Sequence, residues 1–310
     1  MEGNQSWPPE FILVGFHLRT EIEVLLFCIF LTLYISNLLA NGIILGLIWL
    51  DTRLHTPMYY FLAHLAVIDV CYASGNLPNI LENFVKHKKT ISFFSCVTQM
   101  ILFLTFAAVE CMILVVMSYD RYVAICHPLQ YTVIMNWRVC TVLAVASWTC
   151  AISLTLTHLI LFLKLPYCGL QEVNHIFCEI LAVLKSSCGD TRINQMFVFA
   201  SGTFVIVGPL SLMLVSYIRI LWAILKIQSG EGQRKAFSTC SSHFCVVGLY
   251  FGIAMMVYCI PDSGHQAEQQ KILSLFYTLL NPLLNPLIYS LRNAQVKAAL
   301  CKVLQQQRTI

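Results

Sequence analysis

Charge is what this chain has least of: Asp, Glu, Lys and Arg make up 11% of its 310 residues, while 58% are hydrophobic. A water-soluble fold needs a polar exterior, and a chain so poor in charge cannot cover itself. Soluble enzymes and soluble binding domains are thereby disfavoured. Internal repeats and low-complexity tracts are missing too, which argues against a transporter built from inverted halves. The leader MEGNQSWPPE and the charged turn HLRTEIE lack the basic start and small-residue cleavage site of a removable signal peptide. Targeting is therefore assigned to the first apolar segment. His64, Ser242 and His243 are tempting residue types, but no nucleophile, base and orienting group form a coherent set. Neither an enzyme nor a cofactor is expected.

What the chain does have is apolar length. Seven segments, at about 24–50, 57–80, 93–125, 140–162, 196–226, 236–260 and 271–290, approach or exceed the roughly twenty residues that cross a bilayer. Lipid offers the backbone no hydrogen bonds, so these segments should be helices. The expected fold is an all-α membrane protein, a seven-helix bundle with a short surface helix. It divides into an N-terminal segment 1–23, a bundle 24–290 that includes a long loop 163–195, and a tail 291–310. In the tail, Val296, Ala299, Leu300 and Leu304 alternate with bases, which suits a helix lying on the membrane surface.

An odd number of spans puts the termini on opposite faces. One face collects eleven bases against Asp51, Asp120 and Glu231, and the other eight bases against ten acids. The basic face should be cytoplasmic, leaving the N-terminus outside. Asn4-Gln5-Ser6 is then a glycosylation acceptor on the outer side. The excess of base reflects orientation in lipid, and no nucleic-acid partner is expected.

Of the fourteen cysteines, most sit inside apolar spans, where a thiol is a small hydrophobe. Cys96, Cys168, Cys178 and Cys188 fall on the outer side, where oxidation is permitted. Four cysteines allow three pairings. The one chosen is Cys96–Cys178 with Cys168–Cys188; the residues alone leave the others open. The stretch HIFCE offers His175, Cys178 and Glu179 as soft-metal ligands, but a disulfide at Cys178 competes, and no metal is expected.

Three sets of polar residues interrupt the apolar runs. Asp120-Arg121-Tyr122 follows Cys96 by about 37 Å of helix, beyond a hydrocarbon thickness of about 30 Å. Arg121 thus reaches the cytoplasmic edge, where Asp120 can hold its guanidinium. Asp69 and Glu110 lie midway along two spans, where ionisable groups are costly unless paired or hydrated. With Asn41, Asn285 and Ser118 they suggest a polar chamber that can hold water, a proton or a monovalent cation. The last span ends PLLNPLIYS, in which Pro286 breaks an intrahelical bond beside Asn285 and Tyr289.

These stretches together resemble the rhodopsin-like G-protein-coupled receptors, and specifically the olfactory receptors of the tetrapod class. The resemblance rests on LHTPMYYFL (54–62), MSYDRYVAIC (117–126), SYIRI (216–220), KAFSTCSSH (235–243) and NPLIYSLRN (285–293). It implies that Arg121 is a latch held by Asp120 at rest and released toward Tyr217 on activation. It also implies that Asn285, Pro286 and Tyr289 rearrange, and that Lys235 and His243 lie on a sixth helix that swings outward. The implied partner is the olfactory stimulatory heterotrimeric G protein, with cyclic AMP rising in the cilia of olfactory sensory neurons. The implied location is the plasma membrane; homo-oligomers are left open. Departures from the family pattern are Leu39-Ala40-Asn41-Gly42 in the first span, Ser118 before the Asp-Arg-Tyr triplet, and Tyr250-Phe251-Gly252 in the sixth.

Phe103, Ala107 and Cys111 recur at i, i+4, with Leu104 and Ala108 in the next row. Gly202, Val205, Ile206, Phe251, Met255, Tyr258, Tyr277 and Thr278 are placed opposite. No charge among them would fix an amine or a peptide. The expected ligand is a small, volatile, largely apolar organic molecule. Ten heavy atoms supply about −5 to −8 kcal/mol, or sub-millimolar to micromolar affinity. The alternative is a transporter or ion channel that uses Asp69 and Glu110.

Overall fold

A backbone that finds no partner in lipid must bond to itself, and the chain does so in helices of spanning length. The computed structural model describes residues 8–16, 19–86, 89–168, 171–226, 230–258, 267–291 and 294–307. Seven long helices form the bundle: α1 (Thr20–Leu50), α2 (Pro57–Val85), α3 (Phe93–Cys126), α5 (Trp137–Leu163), α7 (Arg192–Leu225), α8 (Gly230–Tyr258) and α9 (Ala267–Leu291). Between them lie two short helices, α4 (Tyr131–Ile134) and α6 (Ile180–Leu184). After α9 comes α10 (Ala294–Gln307), which packs on α1 and α9 with Val296 and Ala299 buried.

Local signals set several of the ends. Pro57 opens α2, where its missing N–H costs nothing. Ser92 caps α3 by accepting from the Ser95 N–H, and Asn136 caps α5 by accepting from Val139. Asp51 closes the turn after α1 by accepting from Arg53, whose guanidinium holds its carboxyl down at about 2.

Among the described residues, α1, α3, α5 and α7 are apolar enough to span on composition alone. The other three long helices carry polar residues, many of which turn inward: Asp69 and Asn76 on α2, and Lys271, Asn281 and Asn285 on α9 are buried. The outer faces are greasy instead, with Val24, Leu39, Val145, Leu156, Phe199 and Leu212 exposed. A bundle that hides polar groups and shows apolar ones is built for lipid.

The fold is not purely helical. A three-stranded sheet of β1 (Glu10–Leu13), β2 (Thr90–Ser92) and β3 (Glu172–Val173) closes one end of the bundle. The central β1 pairs antiparallel with β2, Phe11 opposite Ile91, and parallel with β3, Leu13 opposite Val173. Phe11 and Leu13 point inward to a second core with Phe93, Phe162 and Leu165. Disulfides Cys96–Cys178 and Cys168–Cys188 tie the long loop to α3 and to itself. Beside the latter, Gly189 passes so close to Pro166 that a Cβ would sit 2.6 Å from its ring.

Candidate functional site

The cavity begins with residue size. Along α3, Ala107 and Ala108 leave space that Phe103 and Leu104 frame from one side, and on α7 Gly202 adds no side chain at all. A cleft of about 620 Å³, part of it open to the surroundings, lies between α3, α5, α7 and α8. Phe103, Leu104, Ala107, Ala108, Cys111, Gly202, Val205 and Ile206 line it. Most of these walls are carbon, which suits an apolar guest.

The residues expected on α3 and α7 are only part of the lining. Leu154, Thr155 and His158 of α5, Val198 and Ser201 of α7, and Ala254 of α8 belong to it as well. His158 was legible in principle, being an ionisable residue inside an apolar span. Its Nε2 lies 2.9 Å from the Ser201 hydroxyl, and both side chains are buried. From the long loop, Phe177 is fully buried against Phe103, ring centroids 5.3 Å apart, with His175 edge-on behind it at 4.5 Å.

Three expected lining residues fall elsewhere, and two more lie outside the described side chains. Met255 is exposed on the outside of α8. Phe251 is buried but packs on Tyr250 at 5.2 Å and does not reach the cavity wall. Thr278 turns its hydroxyl back onto the Ser274 carbonyl at 2.8 Å. The side chains of Tyr258 and Tyr277 lie outside the described residues, although both positions are helical.

Beneath the cavity runs a polar path. The Cys111 thiol donates to the Tyr250 hydroxyl at 3.4 Å, and Tyr250 donates in turn to the Ala107 carbonyl at 2.9 Å. One residue before Cys111, Glu110 accepts from Asn285 at 3.0 Å, and the same amide nitrogen lies 3.1 Å from both Asp69 oxygens. One amide of α9 thus binds an acid of α2 and an acid of α3. Two residues assigned to this chamber do other work. Ser118 donates to the Val115 carbonyl. Asn41 donates to the Pro282 carbonyl at 3.1 Å. That carbonyl would ordinarily receive the N–H of residue 286, which is proline and has none. Asn41 therefore repairs the helix bond that Pro286 removes.

At the far end of α3, Asp120 and Arg121 are both buried. Asp120 accepts from the Tyr131 hydroxyl of α4 at 2.8 Å, a partner the sequence did not suggest. The Tyr122 hydroxyl lies 3.3 Å from His127, and Tyr217 of α7 sets its ring edge-on to Phe244 of α8 at 5.7 Å. Asn285 and Pro286 are buried in α9. The side chains of Lys235, His243 and Tyr289, and the whole of Asn4, lie outside the described residues. His175, Cys178 and Glu179 form no metal-binding group among the described residues: Cys178 is in a disulfide. The Glu179 carboxylate instead caps α6 by accepting from Ala182 at 3.0 Å.

Comparison with known proteins adds lineage to this geometry. A family model described as "Olfactory receptor" matches residues 27–307. Olfactory receptor 2A5 of Homo sapiens is 63% identical over 310 residues, covering 100% of both chains. Olfactory receptor 2A12 of Homo sapiens is 61% identical over the same span, with 100% of both covered. Olfactory receptor 2A7 of Mus musculus is 56% identical, again with 100% of each chain covered.

Proposed function

The chain belongs to the olfactory receptor family, and from that premise we propose that it binds small, mostly apolar volatile molecules in the α3–α5–α7–α8 cavity. Occupancy is then passed to a stimulatory heterotrimeric G protein docking at the Arg121 end, and cyclic AMP rises. The family consists of receptors, so chemistry on the ligand is not required: unequal contacts in two conformations are enough.

The observation that carries this reading is the continuity from cavity to core. Cys111 lines the cavity and bonds to Tyr250 of α8, while its neighbour Glu110 bonds through Asn285 to Asp69. A ligand that presses on Cys111 or Ala107 therefore acts on α3, α8 and α9 together. On this proposal the N-terminus is extracellular, Arg121 faces the cytoplasm, and the receptor works in the membrane of sensory cilia. Asp120 holds the resting state, Arg121 turns toward Tyr217 on activation, and α8 moves outward with Lys235 and His243.

Cyclic AMP measured in cells carrying the olfactory G protein, screened with a chemically broad panel of volatile compounds, tests the reading. Arg121→Ala should abolish every ligand-evoked response at unchanged surface delivery. A response that survives in this variant rejects the latch.

A further inference from the structure

Among the described residues, one polar pair that bridges two helices has both its members in the cavity wall. Thr155, bonded among the described residues only to the Ala151 carbonyl of its own helix at 2.9 Å, has no second side chain to polarise it, and the Cys111 thiol is turned to Tyr250. His158 of α5 and Ser201 of α7, in contrast, meet across the helix interface at 2.9 Å, and both line the cavity. The Phe197 ring backs the imidazole at 4.5 Å and limits where it can turn.

In the tautomer of His158 that carries its proton on Nε2, this pair has a spare donor. With its proton on Nε2, His158 donates to the Ser201 oxygen. The Ser201 proton then points to the Val198 carbonyl, 3.2 Å away and three residues back along α7. That carbonyl lies in the helix interior, where the N–H of residue 202 already serves it. The serine bond is therefore surplus, and swinging the hydroxyl into the cavity orphans no backbone group. A hydroxyl that accepts from an imidazole N–H is also the stronger donor, because linked hydrogen bonds polarise one another.

We infer that Ser201, oriented by His158, donates to a carbonyl oxygen of the ligand, so that the receptor selects aldehydes and ketones over hydrocarbons of the same shape. This rests on the α3–α5–α7–α8 cavity being the ligand site and assigns its specificity-determining residue. Ser201 touches the ligand; His158 is a positioning residue that acts through it. A ligand that lacks the oxygen leaves the hydroxyl on Val198 and gains only apolar contact.

The test uses the full-length receptor in cells, with surface delivery measured for each variant. The probes are saturated C6–C10 aldehydes and methyl ketones, each paired with the terminal alkene in which methylene replaces oxygen. For the parent, each carbonyl compound should act at about tenfold lower concentration than its alkene, the size of one net hydrogen bond. Ser201→Ala should erase that gap by weakening the carbonyl compounds alone, and Ser201→Thr, which keeps the hydroxyl, should restore it. His158→Phe should narrow the gap in the same direction, and adding it to Ser201→Ala should change nothing further. Equal weakening of carbonyl and alkene, or an intact gap in Ser201→Ala, overturns the inference while leaving the cavity as ligand site. If the parent, present at the surface, responds to no member of either series, the inference falls. A second screen with Ala107→Trp, which fills the cavity, then separates the two failures: other ligands that still act through that variant remove the underlying reading too.

Discussion

Single residues carry much of the tuning, and one of them, Asn41, ties the bundle where a proline weakens it. Pro286 leaves the Pro282 carbonyl without its helix partner, and Asn41, a helix away, supplies the missing donor at 3.1 Å. Asn41→Ala should therefore lower the stability of detergent-purified receptor by about 1–3 kcal/mol, the cost of a buried acceptor left bare. An unchanged melting temperature would contradict this role. In the long loop, Glu179 and His175 give stability opposite pH dependences. Burial lifts Glu179 from 4.5 to about 7, so the folded loop holds its proton more tightly than the unfolded chain. Its contribution is complete below about 4.5 and is lost as pH rises through about 7. Burial, aided by Lys271, pushes His175 from 6.5 down to about 3, so its contribution is complete above about 6.5 and declines as pH falls toward 3. Melting temperatures taken from pH 5 to 7.5 should show Glu179→Gln gaining on the parent as pH rises. His175→Gln should gain on the parent as pH falls below 6.5. Parallel curves for all three proteins would refute both assignments.

At the scale of elements, the long helices were legible because lipid leaves a spanning backbone few alternatives and the apolar runs are long. The weaker apolar signal of α9 has a physical cause: Lys271, Asn281 and Asn285 lower its apparent hydropathy, yet they are buried in the interior. The sheet was not legible. EFIL and TIS are four and three residues long, too short for an alternation to stand out, and Phe11 pairs with Ile91 far along the chain. The cavity was half legible. The i, i+4 rows of α3 marked its wall and residues of α7 were placed opposite, whereas α5 offered only His158 in an apolar run, and its meaning depends on Ser201 of another helix. The sheet nevertheless has a measurable part in the fold. Phe11 is fully buried between Phe93 and Tyr167, each with ring centroids 5.8 Å away. Phe11→Ala should cost about 3–5 kcal/mol locally, read as faster hydrogen exchange at Ile91 and Val173. Unaltered exchange there would mean that β1 merely rests on the bundle.

For the whole molecule, the account is one of transmission through packed helices with two arrangements. The cavity lies between α3, α5, α7 and α8, the Asp69–Asn285–Glu110 contact joins α2, α3 and α9, Arg121 is buried toward the end of α3, and Tyr217 meets Phe244 between α7 and α8. On the proposed function, a ligand that changes the balance at Cys111 and Tyr250 biases all of these at once, since packed cores switch between states and do not deform continuously. The most direct measurement is the distance between spectroscopic labels introduced genetically at Val133 and Phe237, both exposed, with and without a saturating volatile agonist. Ligand should move population toward longer separations, and Ala107→Trp, which fills the cavity, should remove that shift. A cyclic-AMP response with no change in the distance distribution, or a shift that persists in the filled cavity, would contradict the account.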